Sequence, residues 1–262
     1  MAINEETVAF LGCARNCDKY IENSIKNIEK LGGLFKEYKV FIFENDSSDN
    51  TKGILNIYSL KDNYDITHMD KLIQRISLRT WRLAFCRQFL LEKLVKSKFN
   101  PDYVIVLDLD NVGEKNIDIN EFKNCFKIKN WDGIFPKTTY DWWALRYDNY
   151  LVNYIEAYTY IKILSTNLSI STEKFQKIVD TLTGNIKKIE DKFDNNGILK
   201  VKSAFNGMGI YKYKTFIKGK YCGKNKYFIT GKIKYAEECE HVNFHYSLGD
   251  VNLLMNKNFN FN

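Results

Sequence analysis

Tyr103-Val104-Ile105-Val106-Leu107-Asp108-Leu109-Asp110 is the stretch on which the reading of the fold turns. An unbroken apolar run, without the polar alternation of a half-exposed strand, marks a strand buried on both faces. Two carboxylates follow where it stops. The same grammar recurs upstream. Thr7-Val8-Ala9-Phe10-Leu11-Gly12-Cys13 ends in Ala14-Arg15-Asn16, and Val40-Phe41-Ile42-Phe43 is closed by Glu44-Asn45-Asp46. Helical spacing lies between these runs: Ile21, Ile25, Ile28 and Leu31 before Gly32-Gly33, with Asn16 or Asp18 as cap. Ser47 or Ser48 then caps a helix through Ile54, Leu55 and Tyr58. A further helix spans about Leu78 to Lys96, with Leu83, Cys86, Leu90 and Leu94 on one face. A strand is expected near residues 71–76. Strand alternating with helix predicts an α/β protein whose mostly parallel central sheet is flanked by helices. Ligands of such sheets bind at the carboxyl ends of the strands, which singles out Arg15, Glu44 to Asp46, Asp108 and Asp110.

The second half is less regular. Trp131 to Phe135 reads as a strand and is followed by the aromatic segment Tyr140-Asp141-Trp142-Trp143-Ala144-Leu145-Arg146. Helices are expected near 150–164 and 172–193. Val201 to Tyr211 reads as a strand interrupted by Asn206-Gly207, and Cys239 to Tyr246 as another. Two prolines and 14 glycines in 262 residues leave no linker. The expectation is a single domain, 1–262, with a helical insertion at about 150–195.

Composition narrows the function. With 45% apolar and 27% charged residues the chain is that of a folded protein. The net charge of +7 suggests nucleic acid, but 33 of the 39 basic residues are Lys spread along the chain. A nucleic-acid footprint is clustered, so none is expected. The Lys excess, with 28 Asn, looks like the codon bias of an AT-rich genome. The longest apolar runs are far below the roughly 20 residues that span a bilayer. No charged-then-apolar stretch precedes Val8. A cytoplasmic location without a membrane span is expected, the host cytoplasm if the source is viral. Six cysteines without a CxxC pair read as reduced thiols.

Asp108 and Asp110 carry the strongest chemical signal. Carboxylates two apart at a strand's end can converge on one hard cation, Mg²⁺ or Mn²⁺. Such an ion neutralises a departing diphosphate. His241 and His245, four apart, share a face in a helix or a strand, and one of them could complete the coordination. The six Arg are informative by scarcity. Arg75, Arg79, Arg82 and Arg87 crowd one helix, while Arg15 and Arg146 sit in other motif-like stretches. Each is either a planar fork for phosphate or carboxylate, or a structural ion pair. No GxGxxG, GKS/GKT or GxSxG is present, which disfavours dinucleotide oxidoreductases, P-loop NTPases and serine hydrolases.

Taken in order, these stretches resemble metal-dependent glycosyltransferases of the GT-A fold. More narrowly, they resemble the family of the fungal capsule-associated α-mannosyltransferases and its bacterial and viral relatives. The resemblance rests on Ala14-Arg15-Asn16, Phe43 to Thr51, Arg79 to Arg87, Asp108-Leu109-Asp110, Tyr140 to Arg146, Ser203 to Gly209 and Cys239-Glu240-His241. It implies a Rossmann-like single domain, with residues 1–112 as the nucleotide-sugar half and 113–262 as the acceptor half. It implies a UDP- or GDP-sugar donor, Mn²⁺ or Mg²⁺, and a glycan or glycoconjugate acceptor. Residues 12–16 (Cys13, Ala14 and Arg15 among them) with Glu44, Asn45 and Asp46 would hold base and ribose. Arg79, Arg82 and Arg87 would face the nucleotide pocket. Asp108, Leu109 and Asp110 would meet ribose and metal, with His241 or His245 on metal or diphosphate. Asn206-Gly207 would lie beside the donor sugar, and Tyr140 to Arg146 would face the acceptor.

A sugar leaving a diphosphate passes through an oxocarbenium-like state. Inversion also requires a carboxylate base on the acceptor hydroxyl, and Asp141 and Glu240 are the candidates. Two other readings compete. Asp108-Leu109-Asp110-Asn111-Val112 also satisfies the nucleophile pattern of haloacid dehalogenase-type Mg²⁺ phosphatases, with Asp108 as nucleophile. A non-catalytic nucleotide-sugar-binding protein is the third.

Overall fold

The computed structural model describes residues 3–137, 141, 143–147, 188–229 and 232–260. The helices expected at 150–164 and over most of 172–193 lie outside the described residues, as does Trp142.

Four parallel strands form the first half: β1 (Thr7–Ala14), β2 (Glu37–Asn45), β3 (Tyr64–Met69) and β4 (Tyr103–Asp108). Between them run α1 (Ile21–Gly32), α2 (Thr51–Tyr58), α3 (Leu72–Arg75) and α4 (Arg79–Lys96). The second half adds α5 (Ile119–Cys125), β5 (Gly133–Pro136), β6 (Ile198–Val201), β7 (Met208–Lys212), α6 (Tyr213–Phe216), the strands β8 (Lys224–Ile229) and β9 (Lys232–Glu237), α7 (Glu240–Ser247) and β10 (Leu253–Asn256). One eight-stranded sheet has the order β3-β2-β1-β4-β7-β5-β10-β6, and β8 and β9 pair separately. Strand β7 runs antiparallel to β4 and β5, and β6 antiparallel to β10; the other neighbours are parallel. The α/β architecture with a central sheet flanked by helices is thus the one expected.

The unbroken apolar runs have the physical meaning read from them. Val8, Phe10, Val40, Ile42, Ile105 and Leu107 pack with Ile21, Ile25, Ile28 and Leu31 of α1 on one face. Ala9, Leu11, Phe41, Phe43, Val104 and Val106 face the other way, onto Cys86, Leu90 and Leu94 of α4 and Val242 and Phe244 of α7. Alternate residues serve two cores, so neither set can be polar.

Three local expectations are corrected. The third strand is Tyr64–Met69, and residues 72–75 form a helical turn instead. The segment from Cys239 to Tyr246 is not a strand, because Glu240–Ser247 is helical. Val201 to Tyr211 is not one strand either. Asn206 (φ 56°) and Gly207 (φ 85°) are both left-handed, and the turn they make is closed by Met208 N–H donating to the Phe205 carbonyl at 3.2 Å. The turn leads directly into β7, which pairs antiparallel with β4.

The loop after β4 is held from both sides. Leu109 is 1% exposed and lies over Gly12, where an added Cβ would be 2.7 Å from Leu109 Cδ1. Asn27 of α1 donates to the Gly113 and Lys115 carbonyls, each at 2.8 Å. Gly113 itself has no room, since a Cβ there would meet the Asp108 carbonyl oxygen at 1.9 Å. Gly113→Ala is therefore expected to cost about 1–3 kcal/mol, read as a lowered urea midpoint with an unchanged slope.

Candidate active site

At the carboxyl ends of β1 and β4, Cys13 is in register with Asp108. The central Leu109 turns into the core, and the acids on either side of it face one cleft. That cleft has two chambers sharing the wall Arg79, Leu83, Arg87, Asp108 and Asp110. The larger, of about 770 Å³, also meets Asp141, Phe205, Glu240 and His241. The smaller, of about 250 Å³, meets Cys13, Ala14, Arg15, Asn45, Arg82 and Leu109.

Arg87 is the hub. It is 4% exposed, and its Nη2 donates to Asp108 Oδ1 at 3.0 Å while its Nε donates to Glu240 Oε1 at 3.1 Å. Its ring-facing neighbour is Phe205, 5.0 Å from the guanidinium carbon. Arg87 Nη1 has no hydrogen-bond partner among the described residues. Helix α7 puts Glu240 in its first turn, which is how a residue far along the chain reaches α4.

The two histidines, one helical turn apart, have different surroundings. His245 is 1% exposed, with Nδ1 bonded to Ser203 Oγ and Nε2 to Tyr211 Oη, both at 2.8 Å. Burial pushes its pKa down to about 3, so it is a neutral core residue that lines neither chamber. His241 is stacked on Phe205 at 3.6 Å and lines the larger chamber; its Nε2 is 3.6 Å from Glu240 Oε1, and neither ring nitrogen has a partner within hydrogen-bond distance among the described residues. Burial first, then the Arg87 cation, holds its pKa well below the ordinary value and keeps the ring neutral. Of the two expected metal or diphosphate contacts, only His241 faces the cleft.

The candidate bases are also separated. Glu240 is 4% exposed and committed to Arg87. Asp141 accepts backbone N–H bonds from Ala144 and Asn206, and burial followed by the Asp108 and Glu240 charges raises its pKa to about 7. Asn206 and Gly207 line neither chamber. They act as scaffold instead: the Gly207 carbonyl accepts from Asp108 N–H at 3.0 Å, and Asn206 Nδ2 donates to the Pro136 carbonyl at 2.7 Å.

At the end of β2, Asn45 reaches the smaller chamber, while Glu44 and Asp46 do not line it. Glu44 is fully buried, accepting from Ser47 N–H at 2.9 Å and contacting His68 Nδ1 at 2.9 Å. Asp46 accepts from Ile73 N–H at 2.8 Å, and although burial opposes it, this and neighbouring N–H bonds keep its pKa low. The arginines divide likewise. Arg146 is 1% exposed and pairs with Glu238 at 3.2 Å, a structural role. Arg15, Arg79 and Arg82 face the smaller chamber and form no ion pair among the described residues. Burial, then repulsion from Arg15, lowers the Arg82 pKa.

Nothing in the order of residues marked Phe205 as the ring that faces both His241 and Arg87. Cys86 is buried on α4, its Sγ 3.9 Å from Asn45 Oδ1.

No three His, Cys, Asp or Glu side chains are gathered for a metal among the described residues. The donors present nonetheless fit a hard cation of the kind held by one or two carboxylates and completed by substrate phosphate and water. Asp108 and Asp110 would supply the oxygens, and the His241 ring, its Nε2 3.6 Å from Glu240 Oε1, lies in the same cleft.

Neither a protein-family model nor a curated protein sequence matches the chain. Among solved structures, it is similar to S. aureus TarS, with 11% identity over 96% of this chain and 36% of that one at a TM-score of 0.49. It is similar to M. tuberculosis glucosyl-3-phosphoglycerate synthase, with 14% identity over 80% of this chain and 58% of that one at a TM-score of 0.39. It is also similar to the mannosyltransferase PcManGT from Pyrobaculum calidifontis in complex with GDP-Man and Mn²⁺, with 14% identity over 52% and 37% at a TM-score of 0.34. Apart from one mycobacterial protein covered over 67%, the chain spans about a third to three fifths of these structures, 34% to 60% of their lengths. No helix among the described residues is long and apolar enough to cross a membrane.

Two outcomes follow from the electrostatics. Arg87→Met leaves the buried Glu240 carboxylate and the partly exposed Asp108 carboxylate without this counter-charge and is expected to cost about 3 kcal/mol in urea unfolding. Asp141 has a raised folded pKa, so it favours the native state below the unfolded value of about 4, and this is lost as pH rises through about 7. Asp141→Asn should accordingly raise Tm relative to wild type at pH 8, by about 5 °C, and leave no such gain at pH 4.

Proposed function

We propose that this chain is a glycosyltransferase of the GT-A type, moving a sugar from a UDP- or GDP-sugar to a hydroxyl of a glycan or glycoconjugate. The observation that carries the reading is the arrangement at the ends of β1 and β4. Asp108 and Asp110 stand on the wall between a chamber flanked by Arg15, Arg79 and Arg82, which form no ion pair among the described residues, and a larger one holding Asp141 and His241. In this reading residues 1–112 form the nucleotide-sugar half and 113–262 the acceptor half.

The smaller chamber takes the nucleoside diphosphate. Asn45 and the backbone of Cys13 to Arg15 meet its nucleoside, while Arg15, Arg79 and Arg82 meet its charge. Guanidinium forks suit phosphate oxygens, and three of them without carboxylate partners call for an anion. Asp108 and Asp110, with His241, would hold Mn²⁺ or Mg²⁺. When bound, the ion neutralises charge on the departing diphosphate. Arg87 fixes the Asp108 carboxylate, and Glu240 fixes Arg87.

The larger chamber takes the donor sugar and the acceptor. Asp141 is the base that accepts the acceptor hydroxyl proton as the new glycosidic bond forms. A pKa near 7 suits a base working at neutral pH, and two backbone N–H bonds hold its carboxylate in place. A base on the acceptor makes the reaction inverting. Glu240 cannot serve in that way while it neutralises Arg87. The phosphatase reading asks Asp108 to attack phosphorus, yet one of its oxygens is committed to a buried guanidinium.

Thermal unfolding with UDP, GDP and CMP, each with and without Mn²⁺, tests the reading. At about 100 times Kd, a nucleoside diphosphate with metal stabilises by about 2.7 kcal/mol, a Tm rise of roughly 5–10 °C. Asp110→Asn should remove the metal-dependent part of that rise and leave the unliganded Tm near wild type. No shift with any nucleotide, together with p-nitrophenyl phosphate turnover abolished by Asp108→Asn, would overturn it in favour of the phosphatase.

A further inference from the structure

Against a scattered background of lysine, one segment stands out. Between residues 212 and 236 the chain carries eight Lys and neither Asp nor Glu. Lys212, Lys214, Lys218, Lys220 and Lys224 are exposed, and none forms an ion pair among the described residues. The segment starts at the amino end of β4, where Lys212 is in register with Tyr103. It passes α7, where Lys220 N–H donates to Ser247 Oγ at 2.7 Å. It then reaches the start of α4, where Thr80 Oγ1 donates to the Gly223 carbonyl at 3.0 Å. Thr80 lines the larger chamber, so the basic stripe climbs one side of the domain to the rim of the cleft.

At the upper end of the stripe lies an open groove of about 420 Å³. Its α4 side is built from Leu78, Trp81, Ala84 and Phe85, of which Leu78 is 40% and Phe85 38% exposed. Arg75 and Lys224 line it as well, and no carboxylate does among the described residues. Lys224 Nζ lies 4.5 Å from the centre of the Trp81 ring and 5.0 Å from that of Tyr235, which is itself exposed. Glu237, opposite Lys224 on β9, accepts from Thr80 N–H at 3.4 Å and does not line the groove.

We propose that this groove and the stripe below it are a docking surface for an anionic lipid bilayer, on which the chain rests without spanning it. Cations set around an exposed apolar trough match an amphiphile. Leu78 and Phe85 would enter the boundary between headgroups and acyl chains, while the lysines meet lipid phosphates. A purely charged partner would leave those two side chains, and the exposed Ile217 within the stripe, without a match. Leucine and isoleucine offer no π face on which a nucleobase stacks, and residues 212–236 contain no Arg to fork onto base edges. A second copy of the chain fits poorly, because a twofold contact through this patch sets lysine against lysine.

The start of α4 then serves two sides. Arg79, Leu83 and Arg87 line the cleft, whereas Leu78, Trp81 and Phe85 line the groove. Docking would therefore hold the rim of the cleft at the membrane surface. The groove shares no residue with either chamber. Lipid binding does not rest on the donor reading above, so the two fail separately.

The test sediments the folded full chain with sucrose-loaded vesicles of phosphatidylcholine, alone or mixed with phosphatidylglycerol, and reads the fraction pelleted against lipid. Binding is expected with the mixed vesicles and not with phosphatidylcholine alone, and it should weaken as added salt screens the lysines. Replacing Lys218, Lys220 and Lys224 together by Gln should weaken it at least tenfold, since each lysine at an anionic surface is worth about fivefold. These side chains are exposed, so the Tm of that variant should stay near wild type. Leu78→Ser with Phe85→Ser should weaken binding several-fold with the charge unchanged. The proposal is overturned if wild type stays in the supernatant with the mixed vesicles, or if the lysine variant pellets as wild type does. It is equally overturned if a DNA duplex binds more tightly than the mixed vesicles at the same salt and the Leu78 and Phe85 changes have no effect. A wild-type dimer that the Leu78 and Phe85 changes dissociate would also overturn it, in favour of a contact between copies.

Discussion

A guanidinium taken out of water needs negative charge within hydrogen-bonding distance, and Arg87 obtains it from two carboxylates that belong to different elements. Asp108 ends a strand, Glu240 opens a helix, and the cation sits on a third element between them. An unpaired buried charge costs several kcal/mol, so the three cannot separate while the domain stays closed. That constraint explains why α7 starts where it does. It also fixes one Asp108 oxygen at the cleft, beside the Phe205 ring that meets both a cation and a neutral imidazole.

From this hub, environment sorts residues that look alike in the sequence. Four acids face one cleft, and each has a different condition. Glu240 is neutralised, Asp108 shares one oxygen with Arg87, Asp110 caps its own turn through Val112 N–H, and Asp141 is raised toward neutrality by its neighbours. Identical side chains assigned different tasks by burial and charge are a familiar way for one site to run acid and base chemistry together. The arginines are sorted by the same means. Arg146 is consumed by Glu238 in the core, whereas Arg15, Arg79 and Arg82 line the smaller chamber.

Much of this was legible from residue order because the sheet is buried on both faces. Runs such as Val104 to Leu107 can be nothing but strands between two cores, and the strand ends then locate the cleft. The pair Asp108 and Asp110 was legible for a similar reason, since Leu109 between them must return to the core. Where patterns were short, periodicity misled. Val242, Phe244 and Tyr246 alternate as a strand would, but Tyr246 is 47% exposed and the segment is helical. Its conformation follows from Glu240 reaching Arg87 and from Val242 and Phe244 packing on the sheet. No local period encodes that. The Asn206-Gly207 pair was noticed, yet its role differs from the one first assigned, because left-handed backbone here supplies a turn and hydrogen bonds to the two acids rather than room for a sugar.

The amino-acid sequence by itself determined the α/β class, the parallel first half and the place where chemistry can occur, since these depend on hydrophobic runs and on what interrupts them. Only the tertiary structure decided which member of each chemical pair faces the cleft uncommitted. His241 faces the cleft and His245 the core, although one helical turn separates them. Asp141 is poised and Glu240 spent, although both are carboxylates on one cavity. Burial and counter-charge are properties of neighbours brought from far along the chain, so these assignments exist only once the chain has closed around Arg87.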